Sequence, residues 1–227
     1  MAAVAKGLEI VNRKERIMKN KILIAAFAAA VCASASFGEG AYIGLEGDYS
    51  FKSSITTKWS DEDDSDTNKD RKAQAALGFK GGYDFGIARA YGEYVYDFKA
   101  SKTGTDDTVT FKDEWSKHSL LVGGDFTPEI AGGFKLVAGG YTGVSFLKYK
   151  VYSYDSFDGS SDSLSKTVPG WVIGAKLGGI YGFDTHHEIE FGYKADYTKY
   201  KASKLGEDID KVYETNHGIY LGYNFKF

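Results

Sequence analysis

Large apolar residues recur at every second position in eight stretches of this chain, and little else in the sequence is as regular. The last stretch reads "GIYLGYNFKF", with Ile219, Leu221, Tyr223, Phe225 and Phe227 in strict alternation with Gly218, Tyr220, Gly222, Asn224 and Lys226. A period of two is the mark of a β-strand whose faces meet different surroundings. In Ala41–Lys52, Ile43, Leu45, Tyr49 and Phe51 share one face while Glu46, Asp48 and Ser50 share the other. The same pattern runs through Ala73–Phe85, Ala88–Lys99, Trp115–Phe126, Gly133–Lys148, Gly170–Phe183, His187–Tyr200 and Thr215–Phe227. Aromatic residues make up 15% of the chain, and they favour strands over helices.

The connections between these predicted strands also alternate. After the second, fourth and sixth they are short, "GI", "TPEIAG" and "DTH". After the first, third, fifth and seventh they run to about 15–20 residues rich in Ser, Thr, Asp, Lys and Gly, lengths uncommon in a compact soluble domain. Pro128 and Pro169, the two prolines, are both expected outside strands, where no ladder hydrogen bond is lost. Short turns on one side and long loops on the other mark an outer-membrane barrel.

Volume decides which face points inward. Eight strands close around an interior just wide enough for side chains to fill, so the many rings of the apolar face belong outside, against lipid. The opposite face is rich in Gly and carries Glu46, Lys80, Arg89, Glu93, Lys135, Lys176, Glu190 and Lys194, expected to pair as a charge network in the lumen. Aromatics near the strand ends are expected as interfacial girdles. A soluble lipocalin-like barrel is the alternative, and needs the charged face outward around a large apolar cavity. The fold expected is therefore all-β, an eight-stranded antiparallel up-and-down transmembrane β-barrel with short periplasmic turns and four long extracellular loops.

Ahead of the alternation lies "MKNKILIAAFAAAVCASASFG" from Met18: a basic start, an apolar run of about ten residues, and an A-x-A pattern at Ala33 and Ala35. This reads as a signal peptide over 18–35, preceded by a spurious upstream extension over 1–17 and followed by the barrel domain over 36–227. The lone cysteine, Cys32, makes a poor lipidation signal, because Val31 and Ala29 stand where a small residue and Leu belong. The net charge is −3 and there is no basic stripe, so no nucleic-acid partner is expected.

Tyr223, Phe225 and Phe227, with the alternation before them, resemble the small eight-stranded outer-membrane barrels of Gram-negative bacteria, similar to the membrane domain of OmpA and to OmpX and Opa adhesins. The resemblance covers the chain from about Ala41 onward. It implies that the terminal aromatics are the signal read by the barrel-assembly machinery. It also implies outer-membrane lipid and lipopolysaccharide as surroundings, and a host or cell-surface ligand for the loops. No peptidoglycan-binding domain is expected after Phe227.

Three constellations invite chemistry. Glu114, Ser116 and His118 fall on one face of a strand, an acid–base–nucleophile set; the lipid A deacylases of this class place His before Ser, and here that order is reversed. The acidic run Asp61–Asp66 lacks the spacing of a calcium loop, and His186-His187 lacks further metal ligands. No catalytic residue, metal or cofactor is therefore expected. The expected function is a non-enzymatic surface barrel whose loops, with Trp59, Tyr152, Tyr154 and Phe157, make surface contacts. A narrow porin for small solutes and a lipid A-modifying enzyme are the other readings.

Overall fold

The computed structural model describes residues 40–59, 67–106, 109–155, 161–201 and 209–227. The leader with Ala33, Ala35 and Cys32, the acidic run Asp61–Asp66 and Phe157 lie outside the described residues, as do the side chains of Trp59 and Tyr154.

The strands are β1 (Ala41–Trp59), β2 (Thr67–Asp84), β3 (Ala88–Asp106), β4 (Val109–Phe126), β5 (Glu129–Ala131), β6 (Phe134–Asp155), β7 (Ser161–Gly182), β8 (His187–Tyr200) and β9 (Ile209–Lys226). All are antiparallel to their neighbours. β5 is a three-residue piece of the turn before β6. The other eight form one closed barrel: neighbours in sequence pair, β4 pairs β6, and β9 pairs β1 from Tyr42↔Lys226 outward. The Phe227 amide donates to the Ala41 carbonyl at 3.0 Å, so the chain ends against its first strand. Between the short turns and the pairs Ala76↔Asp97 and Gly170↔Tyr200 the ring has no open edge, so there the ladder pairs the backbone without water, as a bilayer requires; beyond those pairs the outer parts of β2 and β3, and of β7 and β8, no longer pair with each other.

The eight alternating segments all lie in barrel strands, but most of those strands run further than the alternation does. β1 continues to Trp59 and β6 to Asp155, through stretches expected as long loops. There the sequence holds Ser, Thr, Lys and Tyr on both faces, and period-two hydrophobicity disappears although the ladder persists. Pro169 is a correction: it lies inside β7, opposite Phe146. Its carbonyl accepts from the Lys201 amide at 3.0 Å, so its nitrogen faces the same side, just beyond the last β7–β8 pair at Gly170↔Tyr200. No ladder bond is demanded of it there.

Candidate functional site

The outside of the barrel is apolar over its middle. Leu45, Leu77, Val122, Leu177 and Leu221 all point outward and are at least half exposed. A belt of this size is not left against water by a soluble monomer, and its natural solvent is hydrocarbon. Aromatics bound it: Tyr49, Phe51, Phe98, Phe146 and Tyr197 toward the long connections, Phe85, Phe126, Tyr181 and Phe183 toward the short turns. Several form edge-to-face pairs along one strand or turn, such as Tyr49–Phe51 at 5.7 Å and Tyr181–Phe183 at 5.2 Å. Tyr223, Phe225 and Phe227 stand on the same outer surface at the turn end, with Phe225 and Phe227 edge to face at 5.5 Å. The architecture is that of a small outer-membrane-type β-barrel.

The lumen is filled by ion pairs in layers. In the middle, Lys80 donates to Glu46 at 2.9 Å and to Glu190 at 2.6 Å, and Lys176 joins Glu190 at 2.9 Å and Asp125 at 2.8 Å. Lys194 bridges Glu46 at 3.1 Å and Asp48 at 2.6 Å. Arg89 and Lys135 belong to a second layer at the turn end. There Arg89 meets Asp84 and Glu188, each at 2.7 Å, and Lys135 and Lys226 approach Asp84 at 3.1 and 3.0 Å. Glu93 is buried in the lumen, its carboxylate over Gly78, yet among the described residues it forms no ion pair. A third layer lies toward the long-connection end. Glu214 accepts from Ser53, Lys117, Asn216 and Tyr200, and Lys117 also approaches Asp97 at 3.7 Å.

Asp48, Asp84, Lys117, Asp125, Glu188, Glu214 and Lys226 were not singled out from sequence as network members, although the same parity of position marks them. Parity also puts Tyr141 and Tyr220 on the inner face, and Tyr91 joins them there. Tyr91 and Tyr141 are buried inside, and their rings lie over Gly123 and Gly174, where a Cβ would collide with them. Lys176 sits 4.6 Å from the Tyr91 ring centroid, a cation–π contact. Gly123 and Gly174 are thus the counterpart of inward rings, while Gly44, Gly78 and Gly139 make room for the side chains of Asn224, Glu93 and Asp125.

Beyond the aromatic girdle the polarity of the wall inverts. Ala100, Trp115, Leu147, Val168, Tyr200 and Val212 form a buried apolar cluster inside the barrel, with Ile55 and Tyr149 packed against it. On the outside at the same level stand Lys112, Lys148, Lys199 and Lys211. This is the arrangement of a water-soluble barrel, apolar within and charged without. The same strands therefore serve two solvents in turn, and the apolar cluster stops the lumen above its ionic layers.

The three chemical constellations are placed as follows. Glu114, Ser116 and His118 share the outer face of β4, but among the described residues no hydrogen bond joins them. Glu114 is held by Lys99 at 2.5 Å and Lys112 at 3.0 Å, while His118 Nδ1 pairs with the Tyr94 hydroxyl at 2.6 Å. Ser119 points the other way, to Ser145 at 2.7 Å. In the turn between β7 and β8, Asp184 accepts the amides of His186 and His187, both at 2.8 Å, and these bonds hold its carboxyl below the usual range. His187 Nδ1 pairs with the Tyr223 hydroxyl.

No protein-family model and no curated protein match the chain. Solved structures do. The chain is similar to Ail, the attachment invasion locus protein of Yersinia pestis in complex with the heparin analogue sucrose octasulfate, at 19% identity and a TM-score of 0.43, over 83% of this chain and 99% of that one. It is also similar to Neisserial surface protein A at 17% identity and a TM-score of 0.38, over 83% and 97% of the two chains. With the outer membrane protein OprG of Pseudomonas aeruginosa it shares 12% identity over 83% and 97% of the two chains, with a TM-score of 0.42.

Proposed function

We propose that this chain is a closed, non-enzymatic barrel of the bacterial outer membrane that presents its long strand extensions and their loops to the outside as a contact surface. One observation carries the reading: among the described residues the lumen holds ion-paired layers and, beyond them, the Trp115–Leu147–Val168–Tyr200–Val212 stopper. A lumen so filled favours anchoring and display over the passage of solutes. Support against an enzymatic role comes from Glu114 and His118, whose side chains are engaged by lysines and by a tyrosine rather than by each other. The barrel-assembly machinery would read Tyr223, Phe225 and Phe227, which the fold leaves on the outer surface of the closing strand.

Planar-bilayer recording tests the reading. The purified barrel should give no steady single-channel current, whereas a stable conductance would establish the narrow-porin reading in its place. Mass spectrometry of lipid A from cells with and without the protein tests the enzymatic reading, and an unchanged acyl pattern is expected.

A further inference from the structure

We propose that the outer wall of β3, β4 and β6, just beyond the aromatic girdle, carries a binding site for a phosphate group, formed by Lys99, Lys112, Lys148 and Lys150 beside Glu114. The site rests on the membrane-spanning reading above. The register sets its depth. On this wall His118 lies opposite Phe146 in the girdle, the next outward-facing pair is Ser116↔Lys148, and the one after is Glu114↔Lys150. Each two-residue step rises about 6.6 Å along a strand, or roughly 5 Å along the membrane normal at the usual tilt. The lysines therefore sit about 5–10 Å beyond the girdle. The headgroup zone occupies the first roughly 5–8 Å outside the hydrocarbon. Their ammonium groups thus stand at the depth where phosphorylated lipid headgroups lie.

The charge is arranged for an anion. Lys99, Glu114, Ser116, Lys148 and Lys150 line a recess of 130 Å³. Its carboxylate is already engaged by Lys99 at 2.5 Å and Lys112 at 3.0 Å, and those two lysines remain about half exposed. Lys148 and Lys150 reach the recess from β6 and form no ion pair among the described residues. Two ammonium groups hold the carboxylate, two more lysines line the recess beside it, and the Ser116 hydroxyl adds a donor. Each ammonium has three donors and no acceptor, which suits the oxygens of a phosphomonoester. A headgroup bound here would take the place of water between lysines that otherwise repel one another.

The test uses the full chain refolded into phosphatidylcholine nanodiscs containing lipid A with two phosphomonoesters, or the same glycolipid dephosphorylated. Inorganic phosphate with the chain in a zwitterionic detergent forms a separate arm. Binding of every probe is followed by the shifts it causes in the chain's own amide resonances around Ser116 and Lys148, and for the phosphorylated probes also by their ³¹P resonances. Lys148→Gln/Lys150→Gln should weaken the phosphorylated probe by about thirtyfold, the effect of two cations at a charged membrane surface. Glu114→Gln should tighten it, and Lys199→Gln, on β8, should leave it unchanged. Binding of the glycolipid alone assigns the site to a headgroup; equal binding of inorganic phosphate assigns it to a free anion; either upholds a phosphate site. The site is overturned if the double variant binds within twofold of the wild type, or if the dephosphorylated glycolipid binds as well. Heat-modifiable migration on gels is scored for every variant. A wild-type chain without it sinks the barrel reading, while a folded wild type without phosphate preference sinks only the site.

Discussion

Lys80 is the most completely enclosed cation of the lumen, and its replacement by Met probes the ionic layers directly. Its ammonium meets Glu46 at 2.9 Å and Glu190 at 2.6 Å, with about 1% of the side chain exposed. Removing one member of a buried ion pair costs roughly 3–5 kcal/mol, because the partner is left charged in a poor solvent. Here the partners are not stranded. Glu46 keeps Lys194, and Glu190 keeps Lys176 and Asn224. The lower end of the range applies, about 3 kcal/mol, or more than a hundredfold in the folding equilibrium. Urea unfolding in phosphatidylcholine vesicles, followed by loss of the heat-modifiable band, should show the midpoint falling by about 1–2 M. Neutralising both carboxylates as well, with Glu46→Gln and Glu190→Gln, should recover at least half of the loss. Lys194 still holds Asp48 and Lys176 still holds Asp125 in that triple variant. A single variant within about 1 kcal/mol of wild type, or a triple variant no more stable than the single, would refute the reasoning, since either means that the charges are not confined as described.

The remaining expectations are more local. Trp115→Ala should cost about 3–5 kcal/mol by opening a cavity in the apolar stopper, with faster hydrogen exchange of the outer parts of β4 and β6 while the membrane-level amides stay protected. Gly174→Ala should destabilise by roughly 1–3 kcal/mol, because the new methyl meets the Tyr141 ring, and Tyr141→Leu in the same chain should relieve part of it. Asp184 sits in an exposed turn with its carboxyl held low by two amides. Its contribution is therefore complete above the ordinary carboxyl pKa and fades as pH falls through the lowered folded value. Amide shifts of His186 and His187 should follow that titration on the acid side, and Asp184→Asn should remove it.

Much of this architecture was legible from residue order. Strict alternation in eight segments specified strands, and the crowding of rings on one face specified which side meets lipid, because a narrow lumen cannot hold them all. Parity also placed Glu46, Lys80, Lys176, Glu190 and Lys194 on the inner face, where the closed sheet brings them from β1, β2, β7 and β8 into one cluster. That join is tertiary. Glu46 and Lys194 are far apart in the chain yet 3.1 Å apart in space, and no local pattern states the register that unites them. The strand ends were hidden for a different reason. A strand is visible in sequence only where its two faces meet solvents of opposite character, and past the girdle the outer solvent becomes water. Trp115, Leu147 and Val212 then turn inward while Lys148 and Lys211 turn outward. The hydrophobic signal changes phase, and stretches of ladder look like loop. Pro169 illustrates the same limit, since its place inside β7 is tolerated only because β8 stops pairing beside it. Local chemistry thus determined the strands and their lipid face. Which charges meet and where the wall leaves the bilayer depend on closure of the ring, because only closure sets the register.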